Sequence, residues 1–193
     1  MLLEQIFPIF YALSGFLMKL SDDEYDEKSN KGIAIILGLI SGLFMGVLAI
    51  SSRDASYIFL GILIGNLIGF KVDGVHHIAS MLVFAVLFIV NIFFNGWYSL
   101  SIITLLICIV GALVDEIYND NPKLKNKYVI GFFEYRCFMK LVILVLSLLG
   151  LYQCLTGFTI HYMDFLGISS IVLFILFEIS YELAGFVFKK YLI

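Results

Sequence analysis

Seven long apolar runs, at about residues 2–20, 32–50, 55–71, 78–97, 98–114, 138–157 and 163–188, leave this chain little freedom of fold. A helix needs about 20 apolar residues, with a working range of roughly 17 to 25, to cross the hydrocarbon of a bilayer. Only helices and closed barrels satisfy their backbone hydrogen bonds there. With 62% apolar and 14% charged residues in 193, no soluble domain fits between the runs. The reading is an all-α polytopic helical bundle, a single transmembrane domain over 1–193, multi-pass in the cell membrane with lipids as its first partners. Asn95-Gly96-Trp97 supplies the turn between the fourth and fifth runs.

Orientation follows from the cations. Lys19, Lys28, Lys31, Lys71, Lys123, Lys125, Lys127, Arg136, Lys140, Lys189 and Lys190 fall on one side, and Arg53 alone falls on the other. Eleven against one places the first side in the cytoplasm by the positive-inside rule, with the N-terminus outside and the C-terminus cytoplasmic. Met1-Leu-Leu-Glu4 lacks the basic start of a signal peptide, so the first run reads as a retained span. The net charge of -3, without a basic patch interleaved with aromatics, gives no footing for nucleic acid. Cys108, Cys137 and Cys154 form no paired motif and read as packing residues.

The second and third runs carry Gly38, Gly42 and Gly46, and Gly61, Gly65 and Gly69. Glycines four apart line one helix face and admit another backbone closely. These two helices are therefore expected to pack on each other as a hairpin. The segment Tyr128–Tyr135 is apolar and aromatic enough to lie along the membrane surface.

Charge inside hydrocarbon costs several kcal/mol, so acid clusters must mark places where helices leave the membrane. Two such clusters are near-copies: Leu20-Ser-Asp-Asp-Glu-Tyr-Asp-Glu27 and Leu113-Val-Asp-Glu-Ile-Tyr-Asn-Asp120. Four helices separate them, so they emerge on one side, and their likeness suggests a duplicated helical unit. Like charges this close call for a cation. One reading is Mg2+ held by Asp22, Asp23 and Asp26 together with Asp115, Glu116 and Asp120, bridging to a diphosphate. The other is a solvated acidic loop balanced by its neighbouring lysines.

Further candidates have two readings each. Asp73, His76 and His77 are spaced to hold a transition metal or to act as a general base, and equally to anchor a helix end at the interface. Glu178, with Glu182 four residues on, is an acid well inside the last run, where a buried carboxyl marks a functional cavity or ion path. Asn66 and Asn91 suit either interhelical hydrogen bonds or substrate contacts. Lys123 and Arg136 can hold phosphate or simply anchor the chain.

The two aspartate-rich segments, Ser21–Asp26 and Asp115–Asp120, resemble those of the UbiA-type intramembrane prenyltransferases. The resemblance implies a Mg2+-dependent transferase acting on a prenyl or polyprenyl diphosphate at the cytoplasmic face. Asp22, Asp23, Asp26, Asp115, Glu116 and Asp120 would hold the metal, with Lys123 or Arg136 on the phosphate. Asp22-Asp23 followed two helices later by Asp73-Gly74 is similar, in a different way, to polyprenyl-phosphate sugar-1-phosphate transferases. The competing class is a small transporter or ion-handling protein that works through Glu178, Glu182, Asn66 and Asn91.

Overall fold

A computed structural model of the chain describes residues 2–95, 99–119 and 124–192. Among them are eight α-helices and no strand. These are α1 (Leu2–Asp26), α2 (Lys31–Ser51), α3 (Arg53–Ile68), α4 (Val75–Asn95), α5 (Ile102–Asn119), α6 (Lys127–Glu134), α7 (Cys137–Thr156) and α8 (Ile168–Val187). A π-helical turn over Phe188–Leu192 follows α8. Five helices, α2, α4, α5, α7 and the last, are long and apolar enough to cross a membrane. Exposed apolar side chains line α4 (Leu82, Val86, Ile89, Phe93) and α7 (Leu144, Leu148, Leu155). Contiguous apolar surface of this kind suits lipid and not water. The make-up is that of a membrane-embedded helical protein.

The remaining helices show why apolar runs and helices need not coincide. α1 continues beyond its apolar run through the whole acidic turn to Asp26, and α3 is only 16 residues long. The apolar and aromatic segment at 128–135 falls largely on the short α6, whose first turn is capped by the Asn126 side chain accepting the Tyr128 N–H. The expected turn at Gly96-Trp97 lies outside the described residues, as do Asp120 and Lys123.

The chain divides into two compact units. The first comprises Met1–Ser52, Val72–Tyr98 and Val172–Ile193, and the second Arg53–Lys71 and Ser99–Ile171. The glycine faces explain the internal packing of each, and they correct the expected pairing of α2 with α3. In the first unit α2 packs against α1 and α4. A Cβ on Gly38 would stand 2.7 Å from the His76 carbonyl oxygen of α4, and one on Gly46 would strike Leu87. In the second unit, Cβ atoms on Gly61 and Gly65 would stand 2.7 Å and 2.8 Å from the Cβ atoms of Cys108 and Ala112 on α5. Bare helix faces need a partner that is itself small or offers backbone at that height, and α4 and α5 supply it.

The second unit is tied at one end by a closed polar network. The Tyr57 hydroxyl donates to Asp164 at 2.5 Å and accepts the Ser101 N–H, also at 2.5 Å. Thr104 Oγ1 donates to the Asp164 carbonyl at 2.7 Å. Asp54 accepts the Gly167 N–H at 2.7 Å and the Ser170 hydroxyl at 2.6 Å. Every member has a partner, and the loop 157–167 is thereby pinned to the starts of α3 and α5.

Candidate functional site

The last two turns of α1 sort their acids by direction. Asp23 turns back to Lys19, four residues earlier, at 2.9 Å, and Glu24 takes Lys28 at 3.1 Å. Each is buried and leaves one oxygen, Asp23 Oδ2 or Glu24 Oε2, without a partner. Ser21 donates to the Ala34 carbonyl at 2.7 Å, holding this end of α1 against α2. Asp26 is exposed.

Asp22 points elsewhere, into a nest of aromatic side chains. His76 Nε2 lies 3.2 Å and His77 Nε2 3.7 Å from Asp22 Oδ1, and the Tyr181 hydroxyl donates to Oδ2 at 2.9 Å. Ligand-type atoms of Asp22, His76 and His77 all lie within 4.8 Å of one another. The two imidazoles occupy the first turn of α4 and contact each other with ring centres 4.0 Å apart. Tyr25 covers the other side of His76 at 4.5 Å.

The Asp73-Gly-Val-His-His77 segment explains why the rings can sit there. A Cβ at residue 74 would run into the His76 ring, so glycine leaves the room into which that ring folds back. Gly38 does the same for the His76 backbone from α2. His76 is 2% exposed and its Nδ1 has no partner. Asp73 itself precedes α4 and is exposed, so it does not share a helix face with His76.

The second acidic segment is built into other contacts within its own unit. Asp115 accepts the Phe138 N–H at 3.1 Å and the Met139 N–H at 2.7 Å. These are donors at the start of α7, whose N-cap, Arg136, is left-handed at φ 47 and offers no side-chain cap. A first turn left without acceptors in apolar surroundings is costly, and Asp115 supplies both. Glu116 pairs with Arg136 Nη2 at 3.4 Å, and Tyr118 stacks on Phe133 at 4.9 Å.

Four of the six acids expected to hold magnesium, Asp22, Asp23, Asp115 and Glu116, have partners within their own units. Asp23, Glu24 and Glu116 face cations, and both oxygens of Asp115 face amides. Mg2+ asks for oxygen ligands in near-octahedral order, and Asp22 presents its oxygens together with imidazoles instead.

Of the other expected residues, Glu178 is 5% exposed in α8, three residues before Tyr181 and so on the same helix face. Glu182 is exposed, Asn91 is buried in α4 and Asn66 is half-buried in α3. Tyr181 was not expected from the sequence. Its signal is faint: a phenol three residues after Glu178 in an otherwise apolar helix, where a buried hydroxyl needs a partner.

No family model, curated protein or solved structure matches the chain.

Proposed function

We propose that the chain is a multi-pass membrane enzyme acting on the phosphate of a prenyl or polyprenyl lipid, at the helix end where Asp22, His76 and His77 meet. One observation carries the reading. Two sequence segments with chemistry to offer, 54 positions apart, converge on a single carboxylate at the head of apolar helices. Asp22 orients an imidazole, and His77, with its side chain 27% exposed, is the member that a substrate reaches. A held imidazole can give a proton to a departing phosphate oxygen, or take one from an acceptor hydroxyl. Lys19 and Lys28 stand on the same end of α1 and reduce the anionic field a phosphate would meet. Seven spans with this end in the cytoplasm belong to the proposal, the count resting on the apolar runs and the orientation on the cation asymmetry.

The test uses full-length protein in lipid vesicles with polyprenyl phosphates and diphosphates, followed by phosphorus NMR. Turnover is expected, and Asp22→Asn and His77→Ala each remove it. Unchanged turnover in both variants rules the reading out.

A second reading is favoured by Glu178, a buried acid one helical turn from the site along α8. It makes the chain an ion-handling protein, in which Glu178→Gln stops flux into vesicles.

A further inference from the structure

We propose that Asp22, His76 and His77 form a binding site for one divalent transition-metal ion. The inference stands on the same side chains as the enzyme reading but does not require it. One carboxylate oxygen and two imidazole nitrogens are a donor set for Zn2+, Fe2+, Co2+ or Mn2+, whereas Mg2+ is held mainly by oxygen.

The spacing agrees. Ligands about 2.1 Å from a tetrahedral ion stand roughly 3.4 Å from one another. The Asp22 oxygen is 3.2 Å from one imidazole nitrogen and 3.7 Å from the other. Two imidazoles converging on one oxygen is also poor hydrogen bonding, because that oxygen's partners crowd each other while His76 Nδ1 goes without. An ion between them uses both nitrogens at once.

The site is held in advance of binding. Tyr25 and His77 pack against the His76 ring, Gly74 leaves room for that ring, and Gly38 admits the His76 backbone. Tyr181 donates to the second Asp22 oxygen, the outer hydrogen bond that fixes a ligating carboxylate. The side chains of Asp22 and His77 are 15% and 27% exposed, so remaining coordination positions are open to water or substrate.

Full-length protein in detergent, stripped with a chelator, is titrated with Co2+ and followed by visible ligand-field absorption. One equivalent is expected to bind. Zn2+ competes for the same site and quenches the absorption, and a large excess of Mg2+ does not. Asp22→Asn and His77→Gln each weaken binding on the order of 100-fold, and Tyr181→Phe about 10-fold. Asp115→Asn leaves it unchanged. Circular dichroism checks each variant, and Tyr181→Phe, which removes a single oxygen, carries the test where a larger change unfolds the chain. No stoichiometric uptake, uptake that survives both ligand substitutions, or displacement by Mg2+ overturns the site. Protein that takes up cobalt but turns over no lipid phosphate sinks the enzyme reading and leaves the metal site standing. Turnover by protein that takes up no metal does the reverse.

Discussion

Leu20–Glu27 and Leu113–Asp120 share a pattern of residues and differ in what surrounds them. Aligned position by position, Asp22 matches Asp115, Asp23 matches Glu116 and Tyr25 matches Tyr118. Asp115 closes on two backbone amides, and Asp22 on two imidazoles and a phenol. Tyr118 stacks on Phe133, and Tyr25 packs at a tilt against His76. Asp23 and Glu116 each take a cation, Lys19 and Arg136. The same side chains thus perform architecture in one unit and assemble titratable groups in the other. An acid next to amides is satisfied. An acid next to two imidazoles is where the proposed site rests.

The contrast is broken most directly by exchanging the two aspartates' fates. Asp22→Asn is expected to abolish lipid-phosphate turnover and to weaken cobalt on the order of 100-fold while leaving the thermal midpoint in detergent nearly unchanged. Asp115→Ala is expected to do the opposite. It removes the acceptors of a buried and a half-buried N–H group at the start of α7, a loss of about 2 kcal/mol, with turnover per folded molecule kept. If Asp115→Ala lowered turnover as far as Asp22→Asn, the second segment would belong to the site after all.

The next effect tests how the site is shaped rather than what it contains. Gly38→Ala places a methyl 2.7 Å from the His76 carbonyl oxygen, and backbone cannot step aside as a side chain can. The start of α4 must shift, at about 1.5 kcal/mol for an overpacked helix contact. Because both imidazoles ride on that turn, cobalt affinity should fall with it. Gly69→Ala in the second unit has its nearest atom at 3.2 Å and should leave the metal site alone. Equal losses from both substitutions would show general destabilisation and remove the link between α2 and the site.

Much of this was legible from residue order. Long apolar runs announce membrane helices because a lone segment in hydrocarbon must satisfy its own backbone, and the acids mark helix ends. The short helix α6 falls on the apolar and aromatic segment that stood out in the sequence. The destination of each acid was not. Asp22 and Asp115 sit in like local sequence, and what differs is a residue 54 or 23 positions away that the fold brings up. The glycine faces were visible as faces, but a face does not name its partner: α4 and α5 were chosen because His76 offers backbone and Cys108 and Ala112 offer small side chains at the right height. Tyr181 was hidden because a single phenol in an apolar helix gives no period and no spacing.

The smallest expected effect concerns Glu116 and Arg136, for which phosphate binding and simple anchoring both fit the sequence. The pair stands at 3.4 Å with the arginine side chain 32% exposed and that of Glu116 9%, and glutamine keeps the size and a polar partner, so Glu116→Gln should change stability by about 1 kcal/mol. What remains of the effect should shrink further as salt screens the pair. The substitution also discriminates between the two roles of Arg136. If the guanidinium is an anchor, releasing it from Glu116 changes neither turnover nor the salt dependence of substrate affinity. If it clamps phosphate, removing the competing carboxylate should tighten the apparent affinity for a polyprenyl diphosphate, and Arg136→Lys should loosen it because a single ammonium cannot make the forked contact. The geometry favours the anchor, since Arg136 takes the left-handed turn at the start of α7 and its guanidinium is engaged within its own unit.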